Sequence, residues 1–220
     1  AQLLHRNPNL IYFPMSVFHI YKGEEFVSVT SDTSHIMAQS GTEAMHAKKT
    51  TFMPANNLIL ASSGHTGFFL KYYQALYLRV EQSDPYRVND MSPGLMKRAW
   101  RLFQQEEDVV PDTNGPGGTM VYQLGYSPDK DEFCGWRYYS GDDFEPQEMP
   151  TEWVQPVREE ALESIETSPE LRERAAAVFR ATKEVEEKKP KEERVAIGGT
   201  VWMHTMKRDA YGAERLHVFE

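Results

Sequence analysis

Few residues in this 220-residue chain combine a type and a spacing that could support chemistry. The seven histidines are scattered, and none falls into HExxH or another ligand spacing, so no metal centre and no other cofactor is expected. Cys134 is the single cysteine; it cannot close an internal disulfide, and a reducing cytoplasm is the simpler setting. Gly115-Pro116-Gly117-Gly118 lacks the Lys-Ser/Thr that completes a phosphate loop, and reads as a turn. What remains is a set in the first third of the chain: Ser16, Asp32 sixteen positions on, the adjacent Lys48 and Lys49, and Gly64 within Ser62-Ser63-Gly64-His65-Thr66-Gly67. Each has an ordinary reading beside a chemical one. A serine hydroxyl is a weak nucleophile unless a base lies near it, and Ser16 is otherwise a strand residue. Asp32 can bond loop backbone, as aspartates at strand ends do. Paired lysines at a strand edge discourage aggregation simply by being solvated.

The elements that must position these residues follow from periodicity. Ser16–Tyr21 and the alternating Phe26–Ser31 flank a Lys22–Glu25 turn and predict an opening β-hairpin. Ser31–Gly41 is small and polar, hence a loop. Lys49–Met53 and Leu58–Ser62 predict a second hairpin around Pro54–Asn57. From Thr66 the period changes: Phe69, Tyr72, Tyr73, Leu76 and Val80 recur three and four apart, predicting a helix over Thr66–Gln82, ended by Asp84-Pro85. Ser92-Pro93 is read as the start of a second helix, with Pro in its first turn. His65 reads as a helix-start residue, and Phe68–Tyr77 as core or subunit contact. Thr119–Tyr126 and Glu132–Tyr139 are strands, Val154–Glu166 and Ser168–Lys189 helices, and Val195–Met206 and Glu214–Phe219 the closing strands. Hairpins and helix pairs in separate blocks do not make an alternating parallel sheet. They fit an α+β, four-layer αββα sandwich of two antiparallel sheets, with helix pairs outside.

Composition limits what such a fold could do. Apolar segments run through the whole chain, so residues 1–220 are read as one domain. The formal net charge is −9, with 26% charged residues, which argues against a nucleic-acid partner. No apolar run approaches the roughly 18–20 residues of a membrane helix. The first residues lack a charged start, an apolar stretch and a small-residue cleavage site, so no secretory signal is expected. The mixed-sign run Lys183–Arg194 reads as a solvated helix end.

Order and spacing together carry a resemblance. Ser16, Asp32 in Ser31-Asp32-Thr33, Lys48-Lys49-Thr50 and the Gly64 turn ahead of a long helix resemble the start of proteasome β-type subunits and their bacterial relatives, of the N-terminal-nucleophile hydrolase fold. The resemblance runs from about Ser16 onward. It implies that Ser16 is the nucleophile, its own freed α-amino group the base, and Asp32 the residue that orients a lysine. That lysine lowers the amine's pKa, and the N–H near Gly64 is the oxyanion donor. Spacing favours Lys48 and the local pattern Lys49. It further implies a peptide or small-amide substrate and a homo-oligomer. Three features depart from the family's pattern. Residues 1–15 form an extension, and while Met15–Ser16 is intact Ser16 has no free amine. Pro150–Pro156 shows no match to the family's Ser-Gly-Ser-like supporting turn. Bulky Phe18 follows close on Ser16. The expectation is therefore a self-assembling, non-processed subunit with a degenerate or latent site. The alternatives are an active Ser16 peptidase or amidase after loss of residues 1–15, and a small-molecule amidohydrolase of the same fold.

Overall fold

The computed structural model describes residues 16–36, 43–46, 49–80, 84–106, 118–156, 159–167, 170–190, 194–195 and 197–219. The extension 1–15, Lys48, Ser168-Pro169 and most of the Asp112–Gly118 loop lie outside the described residues. Strands β1 (Phe18–Lys22) and β2 (Phe26–Ser31) form the predicted opening hairpin. Two short strands pair with each other, β3 (Ser34–Ile36) within the stretch read as loop and β4 (Glu43–His46) just beyond it; three- and four-residue strands leave too short an alternation to see. Strands β5 (Thr50–Met53) and β6 (Leu58–Ser63) form the next hairpin around a single 3-10 turn at Pro54–Asn56. Helices α1 (Thr66–Tyr77) and α2 (Pro85–Glu106) follow. Then come β7 (Met120–Ser127), β8 (Glu132–Tyr139), β9 (Gln147–Glu148) and β10 (Glu152–Gln155). Helices α3 (Glu159–Thr167) and α4 (Leu171–Glu187) and strands β11 (Gly199–Lys207) and β12 (Tyr211–Phe219) complete the order.

The strands make two five-stranded antiparallel sheets, ordered β10-β1-β2-β11-β12 and β5-β6-β7-β8-β9. Alternation along each strand sends one set of side chains between the sheets. Phe18, Ile20, Val27 and Val29 of the first sheet meet Ile59, Ala61, Tyr122 and Leu124 of the second in one apolar cluster, all nearly or fully buried. Each Val, Ile, Leu or Phe among them contributes roughly 1.5–3 kcal/mol. The second sheet's outer face packs on α1 and α2 through Leu58, Leu60 and Val121 against Phe68, Tyr72, Leu76, Met96 and Phe103. The first sheet's outer face packs on α3 and α4 through Val17, Val154 and Val201 against Ala161, Val178 and Phe179. The four-layer αββα sandwich is therefore present.

Several boundaries shift: α1 ends at Tyr77 rather than Gln82, β11 begins at Gly199 rather than Val195 and β12 at Tyr211 rather than Glu214. Two further differences change what an element is. Asp84-Pro85 does not merely end a helix; it starts one. The Asp84 carboxylate accepts the Tyr86 backbone N–H at 2.8 Å, Pro85 is the first helical residue, and Pro93 lies inside α2. The helix continues past Pro93 because Ser92 is held from several sides. Its hydroxyl donates to the Val88 carbonyl (2.7 Å), accepts from Gln123 Nε2 (2.7 Å) and sits 2.9 Å from the Tyr72 hydroxyl. Second, Val154 and Gln155, read as the start of a helix, are the end of strand β10 (Glu152–Gln155). It pairs along β1 from Phe18↔Gln155 to Tyr21↔Glu152, and His19 Nε2 shares a 2.6 Å hydrogen bond with Glu152. A free sheet edge outweighs local helix propensity. Among the described residues, no helix is long and apolar enough to cross a membrane.

Cys134 sits in β8 against the apolar layer under α2, 3% exposed, its thiol aimed at the Gly125 carbonyl. Burial pushes the thiol up from an ordinary 9.0 to about 12. A thiol reagent at pH 8 is therefore expected to leave the native protein unmodified and to label one site per chain in denaturant, read by intact mass. The folded state holds this proton more tightly than the unfolded chain. Stability from this group is present below pH 9 and declines as pH rises toward 12.

Candidate active site

The site lies at one end of the sandwich, where β1 begins and β2, β6 and β10 end. Ser16 precedes β1 and is 4% exposed. In antiparallel pairing, Phe18 opposes Ser31 of β2 and Gln155 of β10, which brings Ser16 level with the residues just beyond those strand ends. Asp32 and Thr33 follow β2 directly. The Asp32 Oδ2 accepts the Gly198 backbone N–H at 3.2 Å, and Thr33 Oγ1 accepts that of Thr200 at 3.0 Å. These bonds fix the carboxylate against β11.

Lys49 enters from the other sheet. Its Nζ lies 2.6 Å from Asp32 Oδ1, and both side chains are essentially shielded from water. Beside it, Thr50 Oγ1 lies 3.2 Å from Ser31 Oγ, a second link between the sheets. Of the two sequence candidates, Lys49 is the residue paired with Asp32; Lys48 lies outside the described residues. A charge pair this deep loses much hydration, and it is retained only where geometry and further hydrogen bonds offset that loss. A buried lysine held in this way disfavours a second cation close to it and stabilises negative charge that develops nearby.

Gly64 ends β6 with φ +99°, a conformation that side-chain-bearing residues rarely adopt. A Cβ there would stand 2.8 Å from the Gly118 carbonyl oxygen and 2.8 Å from Thr119 Cα, both backbone atoms that cannot swing away. Gly64→Ala is expected to destabilise the fold by about 1–3 kcal/mol. A urea midpoint unchanged from wild type would show that the turn relaxes instead. His65 caps the start of α1 in extended conformation, its ring against Trp100 and Phe103 at 5.7 and 5.1 Å.

Asp32 and Lys49 thus meet across the two sheets, while Ser16 stands just before β1 and Gly64 just after β6. The sequence reading gave no role to Tyr122 and Gln155, which with Ser63 link the two sheets, or to Thr119, which holds the Ser63 carbonyl from within its own sheet. Gln155 lay in the segment Pro150–Pro156, whose pattern resembled nothing expected; an edge strand of four residues gives little periodic signal.

No protein-family model matches this sequence, and no curated protein matches it. Solved structures do. The fold resembles that of Anbu. A mutant of Anbu from Hyphomicrobium sp. strain MC1 aligns with a TM-score of 0.65 at 12% identity, over 91% of this chain and 87% of that one. Anbu from the same organism gives 0.60 at 13% identity, over 91% and 87%. Anbu from Yersinia bercovieri, described as an ancestral beta-subunit, gives 0.60 at 11%, over 91% and 86%. At these identities the similarity to Anbu is one of fold, and it is the proteasome-related fold that the resemblance implied.

Proposed function

We propose that this chain is a self-assembling, proteasome-like subunit of the N-terminal-nucleophile fold whose hydrolytic site is assembled but latent. The observation that carries this reading is the buried Lys49–Asp32 pair, 2.6 Å apart across the two sheets. A scaffold subunit gains nothing from keeping that pair, since well-packed apolar residues would be at least as stable there.

In this reading Ser16 is silent while its nitrogen is part of the Met15 peptide bond. Freed, the α-amine takes the proton from Ser16 Oγ as the oxygen attacks the substrate's acyl carbon. The oxyanion accepts the Gly64 N–H, and Lys49, held by Asp32, stabilises the charge. The C–N bond breaks as the leaving amine takes the proton back from the α-ammonium. Water then hydrolyses the acyl ester on Ser16 by the same base. The substrate class is a peptide or small amide.

Self-assembly is supported by apolar side chains left on the α1 surface, where Leu70, Tyr77 and Leu78 are 53%, 64% and 81% exposed. The decisive experiment compares the full chain with one beginning at Ser16 on a panel of peptide aminocoumarins, with mass and assembly state measured alongside. Hydrolysis confined to the shortened, assembled chain is the expected result. A shortened chain that is folded, assembled and inert sinks the hydrolase part, and leaves the scaffold reading.

A further inference from the structure

Resting on that reading, a further residue of the same site can be identified. Gln155 is the last residue of β10 and is 8% exposed. Opposite Phe18 on the neighbouring strand, it lies two positions along from Ser16 in register. Its side chain enters the space between the sheets, where the Phe18 and Tyr122 rings meet at 5.3 Å. The Tyr122 hydroxyl donates to Gln155 Oε1. Tyr122 is fully buried, and loss of solvent holds its pKa above the ordinary phenol value, so it keeps its proton and remains a donor. That donor fixes which way the carboxamide faces. With Oε1 committed to Tyr122, Nε2 points at Ser63 and donates to its Oγ at 3.5 Å.

Ser63 immediately precedes Gly64. From the other side, Thr119 Oγ1 donates to the Ser63 carbonyl at 2.9 Å. The Gly64 turn is thus gripped by Thr119 from its own sheet and by Gln155 from the sheet that carries Ser16. We infer that Gln155 is a positioning residue. It sets the distance between the attacking Ser16 hydroxyl and the Gly64 N–H. The hydrogen bond to Ser63 is long, so its contribution lies in orientation more than in folding stability.

Two arms test this with Gln155→Ala and with Tyr122→Phe, which keeps the ring and removes only the orienting hydroxyl. In the full chain, hydrogen–deuterium exchange by mass spectrometry is expected to quicken in the Ser63–Thr66 segment and to stay unchanged in Ile59–Ala61 for both variants. Unchanged exchange at Ser63–Thr66 overturns the grip, whatever the enzyme does. In the chain beginning at Ser16, kcat on a peptide aminocoumarin is expected to fall roughly 10- to 100-fold for Gln155→Ala, with KM within about twofold and a smaller fall for Tyr122→Phe. A rise in KM at constant kcat overturns the positioning role, since it would mean that Gln155 only binds substrate. If the shortened wild type hydrolyses nothing, the hydrolase reading and the catalytic consequence fall together, while the exchange arm still decides the grip.

Discussion

Lys49→Met is expected to lower folding stability by about 3–5 kcal/mol, as is Asp32→Leu, because each leaves the other charge buried without its opposite. The pair spans the two sheets with a 2.6 Å contact and almost no solvent on either side chain, so water cannot replace the missing partner. An exposed pair would cost at most about 1 kcal/mol. The Gly198 N–H would still serve Asp32 in the lysine variant, but a neutral donor does not replace the lost ammonium. The double variant Lys49→Met, Asp32→Leu is expected to recover much of the loss, giving a coupling energy well above 1 kcal/mol in a urea-unfolding cycle. Single variants within 1 kcal/mol of wild type would show that the site is hydrated, and would remove the observation on which the functional reading stands.

The second large effect concerns the nucleophile. In the chain beginning at Ser16, Ser16→Ala is expected to reduce peptide hydrolysis by at least about a thousandfold, with no change in assembly or melting temperature. The rate should rise with pH as the α-amine loses its proton. That midpoint should fall below the roughly 7.7–8.0 of an unperturbed amine, because the Lys49 charge disfavours a second cation beside it. Lys49→Arg, which keeps the charge but not the compact ammonium, should retain most stability and lose kcat. Residual activity in Ser16→Ala, or a flat profile between pH 6 and 9, would point to a different nucleophile.

Much of this was legible in the chain itself. Phe26–Ser31 and Glu132–Tyr139 are strands with the boundaries their alternation gives, and the hairpin and helix blocks specify two antiparallel sheets with helices outside. Ser16, Asp32 and Gly64 stand at element ends that composition marks locally: a strand start, a strand end, a glycine turn.

What the tertiary structure alone decided is everything that depends on a partner distant in sequence. Spacing favours Lys48 and the local pattern Lys49, and only the contact across the sandwich shows that Lys49 pairs with Asp32. The free edge of β1 turns Glu152–Gln155 into a strand and so places Gln155 beside Ser63, and the Tyr72–Ser92–Gln123 network carries α2 past Pro93. Local propensities are worth tenths of a kcal/mol per residue, and sheet pairing and burial outweigh them.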